Sequence, residues 1–379
     1  MKHCQNLLLL FLLLALTACT QPTAAPSATP LPPTHTQPAP SDTVTPSHVP
    51  PTATRTPWPV GGPTLRFVTA MPSQTPTITP TPGSFFLEGH LWQLLEYLPI
   101  ESWVTEIAIA PDGTLWLGTD RDGVVHYDGA NWTIYNKQNG LPDNSIRDVL
   151  VTSAGIVWVA TMDSGVVRFD GQSWVHYTTE DGLAGNETTV LATTADGAIW
   201  VGMRYGGISH FDGTSWLSYT DQFSLATDHI MAILETSDGV LWIGTDRDLY
   251  RFDGVEWVTV NIEDMGFTIR GEGGAVRDLC LSSDGALWVA VYEHGVARYY
   301  QGGWQAYRID VSQTNWILEI AIDQDNNLWA GTFRSGFFRF DGKTWTVEDV
   351  PFQIVWDIVT DPNGDLWFVT DVGIYHVLP

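Results

Sequence analysis

The sequence predicts an all-β protein made of seven copies of one four-stranded unit, and three observations predict it. A tryptophan recurs at Trp116, Trp158, Trp200, Trp242, Trp288, Trp329 and Trp367, at spacings of 42, 42, 42, 46, 41 and 38 residues. Each is preceded by a turn such as Pro111-Asp112-Gly113, Ser237-Asp238-Gly239 or Asp361-Pro362-Asn363-Gly364, and Asp-Gly between apolar strands is the strongest short hairpin signal. One full unit reads as strands Ile146 to Val151, Ile156 to Ala160, Val166 to Asp170 and Ser173 to Tyr177, with Asp170-Gly171 turning the third into the fourth. Four short strands at this repeat length are a propeller blade. Residues 85–379 are therefore expected to form a single seven-bladed β-propeller of antiparallel blades.

The chain opens with Met1-Lys2-His3, an apolar run from Leu7 to Leu16, and Leu16-Thr17-Ala18-Cys19. This is the three-part layout of a secretory signal, and the run is too short to span a bilayer. Its ending resembles the bacterial lipobox, so residues 1–18 are expected to be removed and Cys19 to carry lipid. Several acyl chains anchor a protein stably where one does not. Residues 19–84 are expected to be a disordered stalk, since residues 20–84 hold 17 of the 23 prolines among Thr, Ser and Ala. At about 3.1 Å per residue in polyproline II, such a tract reaches on the order of 200 Å. With Cys4 lost and Cys19 lipidated, Cys280 has no disulfide partner. No later stretch is apolar for long enough to be a membrane helix. The expectation is an exported protein of the cell envelope, outside the cytoplasm, held to a membrane by lipid alone.

Within the propeller the fourth strands carry their own tryptophan: Trp132, Trp174, Trp216, Trp257, Trp304 and Trp345, six for seven hairpins. The seventh is expected at the other end, where Gly89-His90-Leu91-Trp92 repeats the pattern of Gly129-Ala130-Asn131-Trp132. Joining that segment to the last unit closes the ring and removes its exposed edges. Repetition at fixed positions assigns these tryptophans to packing between blades.

Residues 85–379 carry 42 acidic and 14 basic side chains. Such a surface excludes nucleic acid and electrostatic adhesion to anionic lipid. It leaves a small molecule or glycan, a cation, or a separate membrane receptor as partner, for a protein expected to be a monomer without an obligatory cofactor.

Ten residues before the marker tryptophan stand Glu106, Asp148, Asp278, Glu319 and Asp357, with Val190 and Ala232 in the other two units. Five carboxylates around one ring could line a channel and hold a divalent cation. The alternative is that each accepts a hydrogen bond from the next blade, because buried acids persist only when paired. Asp323-Gln324-Asp325-Asn326-Asn327 imitates the start of a calcium loop but lacks its downstream glutamate, and it lies where every other unit has its hairpin turn.

The loops between second and third strands do not repeat. They carry Arg121, Asp122, Asp163, Arg204, Tyr205, Arg247, Tyr292, Glu293 and Arg334, and are expected on the face where the chain enters each innermost strand. Arginines suit a carboxylate, sulfate or phosphate ligand, and tyrosines suit stacking. Trp103 and Trp316 share a position thirteen before the marker, where the other units place Ser145, Glu187, His229, Ala275 and Ile354. The longest insertion, Asn261 to Gly274, is expected either to cover the central opening or to be loose. For catalysis no Gly-x-Ser-x-Gly, His-Glu-x-x-His or phosphate loop is present. His294 beside Glu293 is the one candidate acid or base.

Units such as Asn144-Ser145-Ile146-Arg147-Asp148-Val149, Trp158-Val159-Ala160-Thr161 and Gly165-Val166-Val167-Arg168-Phe169-Asp170-Gly171 resemble two-component regulator propeller repeats. The resemblance implies an extracytoplasmic, sensor-like propeller of the kind found in hybrid histidine kinases. Here no kinase accompanies it, so signalling would pass through a separate receptor. Streptogramin-inactivating lyases are similar to such propellers, which keeps a metal-assisted lyase or hydrolase as an alternative; a protein-binding scaffold is the third.

Overall fold

The computed structural model describes residues 64–67, 83–87, 90–95, 98–220, 228–268, 274–309 and 316–378. The signal segment and Cys19 lie outside them. Seven antiparallel sheets follow one another, each entered at its innermost strand: Val104–Ile109, Ile146–Val151, Thr188–Thr193, Ile230–Glu235, Val276–Leu281, Ile317–Ile322 and Val355–Thr360. We number the blades 1 to 7 in that order. Each innermost strand packs on the next and the seventh packs on the first, so the ring is closed.

Closure is made as the sequence predicts. Strand His90–Leu94 pairs antiparallel with Gly373–Leu378, placing Leu91 opposite Leu378 and Trp92 opposite Val377. Trp92 is 1 % exposed and lies 4.7 Å from Phe368 and 5.2 Å from Phe337 between ring centres. Two blades exceed four strands. Phe85–Leu87 extends blade 7 antiparallel to His90–Leu94, and Thr64–Phe67, within the proline-rich stretch, runs parallel to Thr344–Val347 at the rim of blade 6.

The marker tryptophans anchor the walls between blades. Trp116, Trp158, Trp200, Trp242 and Trp288 each approach an aromatic ring on the third strand of the following blade, at 5.9, 5.5, 6.4, 5.3 and 6.1 Å. Every marker also faces an arginine or a histidine across its own sheet: His126, Arg168, His210, Arg251, Arg298, Arg339 and His376 stand opposite the seven in order. The histidines stack at 4.0 to 4.6 Å. Glycine on the second strand lets blades approach closely; a Cβ at Gly244 would stand 2.6 Å from Val276 Cγ1. In the first hairpin Asn326 takes the left-handed position, φ 67°, that glycine holds in the other six blades. Asp323–Asn327 is thus a turn.

Each innermost strand carries one β-bulge, the register slipping between Val104 and Glu106 and at the six equivalent places. A bulge inserts a residue and re-aims its neighbours. The inserted residues, Thr105, Arg147, Thr189, Met231, Arg277, Leu318 and Trp356, follow no pattern.

Candidate functional site

A repeated main-chain bond defines the working face. The N–H of Asp120, Met162, Arg204, Asp246, Tyr292, Phe333 and Asp371 donates to the carbonyl of Trp103, Ser145, Glu187, His229, Ala275, Trp316 and Ile354 respectively, at 2.8 to 3.2 Å. The loops between second and third strands and the approaches to the innermost strands therefore lie together, as the sequence predicts.

Below this face two cavities open into the ring. The outer, ≈ 310 Å³, is lined by Arg147, Arg204, His229, Arg277 and Thr189, with Glu106 and Glu319. The inner, ≈ 370 Å³, adds Asp148, Asp278 and Asp357 above an aliphatic wall. The two share Glu106, Arg147, Thr189, Met231, Arg277 and Glu319, so they form one axial channel.

The five carboxylates meet in this channel, and three of them tie blades together. Asp148 accepts the N–H of Leu191 at 2.6 Å, Asp278 that of Ile320 at 2.8 Å, and Asp357 that of Ile107 at 2.8 Å, each across a blade boundary. Burial raises Asp148 and Asp357 to about 7 and Asp278 to about 6, against the opposing pull of those main-chain bonds. Burial, then the neighbouring acids, hold Glu319 and Glu106 far above the usual carboxylate range. Asp278 is the first neighbour acting on Glu319, and Asp357 the first acting on Glu106. No three of the five bring oxygens within 4.8 Å of one another.

Above the acids stand cations. Arg147 and Arg277 come from the bulges of blades 2 and 5, and Arg204 from a loop of blade 3. Arg204 lies 3.9 Å from Glu187 and 5.7 Å from the ring of Tyr205, both half-exposed or more. Arg277 touches Met231 Sδ at 3.7 Å and lies 5.9 Å from the ring of Tyr292. Neither Arg147 nor Arg277 makes an ion pair among the described residues. All three arginines act on His229, where burial depresses the imidazole and their charges push the same way against Asp246.

The remaining sequence candidates lie apart from the channel. Arg121 is exposed and pairs with Asp120 at 3.1 Å; Asp122 accepts the N–H of Glu101 and Ser102. Arg247 sits 3.7 Å from buried Asp228, whose other oxygen accepts the Tyr250 hydroxyl. In the loop of Asp163, Ser164 N–H donates to Thr161 Oγ1 at 3.0 Å. Trp103 is 55 % exposed. Trp316 stacks on Tyr292 at 5.9 Å and carries Arg334 over its face at 4.7 Å, with Phe333 and then Trp356 continuing the cluster. His294 Nδ1 contacts the Tyr292 carbonyl at 2.9 Å and the ring meets Phe267 edge-on, while Glu293 adopts φ 65°. The insertion packs inward at this point, with Ile262, Met265 and Phe267 buried.

The sequence profile of the two component regulator propeller matches residues 140–163 and 224–247, equivalent segments of blades 2 and 4. The chain carries two-component regulator propeller repeats. The first match runs from the approach to an innermost strand, through the bulge, to the loop after the second strand, and the described part of the second, residues 228–247, spans the same elements. No curated protein matches in sequence. Among solved structures, the chain is similar to the extracellular domain of a protein described as a hybrid two component system of B. thetaiotaomicron, at 20 % identity and TM-score 0.60 over 73 % of this chain and 40 % of that one. It thus spans less than half of that relative. It is also similar to a catalytically inactive virginiamycin B lyase from Staphylococcus aureus with quinupristin, at 15 % identity and TM-score 0.63 over 76 % and 99 %. A third is YCF48 bound to D1 peptide, at 14 % and 0.59 over 76 % and 94 %. At these identities the likeness shows the propeller fold alone. Among the described residues no helix is long and apolar enough to cross a membrane.

Proposed function

We propose that this regulator propeller is a non-catalytic, sensor-like binding domain that takes a small anion at the channel mouth. The reading rests on one observation: in a domain with three acids for every base, Arg147 and Arg277 project into a cavity without an ion-pair partner, beside Arg204. Guanidinium groups without a carboxylate suit bidentate binding of carboxylate, sulfate or phosphate. Thr189 and His229 supply further polar contacts in the same cavity. Burial and the neighbouring acids push Glu106 and Glu319 toward their uncharged forms, which lowers the negative charge beneath it. We place the domain outside the cytoplasm, carried by lipid on Cys19 and a proline-rich stalk, with a separate receptor to relay any signal.

Thermal unfolding of the purified protein against phosphate, sulfate and small mono- and dicarboxylates tests the reading. A ligand at 100 times its Kd adds about 2.7 kcal/mol of stability. The expected result is an upward shift that Arg147→Ala and Arg277→Ala abolish. A flat response across the panel, with cooperative unfolding intact, sinks it.

A further inference from the structure

Blades 6 and 7 solve the same local problem in opposite ways. Six residues before the marker, only these two blades have an aspartate, Asp323 and Asp361; the others have Ala110, Thr152, Thr194, Thr236 and Ser282. In blade 6 donors surround it. Asn327 Nδ2 donates to Asp323 at 2.7 Å, Trp329 Nε1 donates at 2.9 Å, and Arg339 lies 3.9 Å away. In blade 7 the asparagine becomes Asp365 and the arginine becomes His376. An amide and a guanidinium are thus replaced by a carboxylate and an imidazole, which gathers potential ligand atoms where blade 6 has donors.

The geometry is that of a ligand set. Asp361, Asp365 and His376 offer atoms all within 4.8 Å of one another, the one such group among the described residues. His376 Nε2 stands 3.5 Å from Asp365 Oδ2, is shielded from solvent, and makes no hydrogen bond. Trp367 stacks on the imidazole at 4.0 Å and 10°, fixing its plane. Asp361 Oδ1 accepts the N–H of Asn363 at 2.8 Å and of Asp365 at 2.9 Å, which holds that carboxylate in orientation.

We propose that Asp361, Asp365 and His376 bind a divalent first-row cation such as zinc, through one imidazole nitrogen and two carboxylate oxygens, with water completing the shell. One nitrogen and two oxygens suit such ions. The ion ties the first hairpin of blade 7 to strand Gly373–Leu378, on which the closing strand pairs with Gln93 opposite His376. Occupancy therefore reinforces ring closure.

The test is titration of the purified, untagged full chain with Co²⁺, followed by visible absorption, together with unfolding in Zn²⁺ and in chelator. A saturable cobalt band and a higher Tm in zinc are expected. Asp365→Asn restores the residue blade 6 uses and so is compatible with the fold; it should weaken binding at least about tenfold, as should His376→Gln. His210→Gln, in a blade without the second carboxylate, should leave binding unchanged. No band and no Tm shift at millimolar metal, or equal binding by Asp365→Asn, overturns the site.

Discussion

Along the middle of each blade the seven copies agree: a tryptophan on the second strand faces arginine or histidine on the third. One strand inward they disagree, the bulge presenting Thr105, Arg147, Thr189, Met231, Arg277, Leu318 and Trp356 in turn. Both sets come from the same units, so the repeat itself does not explain the difference. Sites that must pack blade on blade meet the same neighbour seven times and converge on one solution. Sites that face the channel meet only each other and are free to differ. The arginines of the first set are engaged in packing; those of the second are available.

That contrast can be broken first at the closure. Trp92→Ala removes the ring packed among Phe337, Phe368 and Phe352 and should cost about 3–5 kcal/mol, which at this size lowers Tm by roughly 10 °C. Denaturant or thermal unfolding measures it, and a loss below about 1 kcal/mol would mean the ring does not depend on its closing strand.

The channel acids give the next effect, with a definite sign. Their folded values, about 6 for Asp278 and about 7 for Asp148 and Asp357, lie above the ordinary carboxylate range of the unfolded chain. The folded ring prefers the proton, so this stabilisation is complete below that range and fades as pH rises through 6 to 7. Tm should fall between pH 5 and pH 8, and Asp148→Asn, which keeps an oxygen for Leu191 N–H, should flatten the slope. An unchanged slope would show that Asp148 does not titrate in that window.

Smaller still is the effect of Arg147→Ala, expected to leave stability within about 0.5 kcal/mol while erasing any anion-induced shift. A large loss of stability instead would move Arg147 into the packed set. Arg121→Ala sets the floor. Its pair with Asp120 is exposed, such pairs contribute about 0–1 kcal/mol, and neither Tm nor anion response should change.

The blades were readable because their signals are local: Asp-Gly turns, the marker tryptophan, and the Trp92 segment matching Trp132. The equivalence of Trp103 and Trp316 was readable too, and a main-chain bond at that position recurs in every blade. Arg147 and Arg277 were missed although each adjoins a carboxylate that sequence reasoning singled out. Alternation along a strand assigns adjacent residues to opposite faces, and only the bulge lets both line the channel. Nothing in the residues announces the bulge. The strand Thr64–Phe67 was hidden by a proline-rich composition, and the approach of His376 to Asp361 depends on pairing that links distant residues.

The pairing of Leu91 with Leu378 also sets an order of events. Blade 7 draws on strands from both sides of the other six, so its last ladder cannot form until residues near 378 are in place. Earlier blades can assemble on their neighbours as they emerge, but the seam is a long-range contact of the slowest kind to find. Until it forms, the free edges of His90–Leu94 and Gly373–Leu378 are exposed to strands of other chains, and the partly built ring is at its most vulnerable to misassembly.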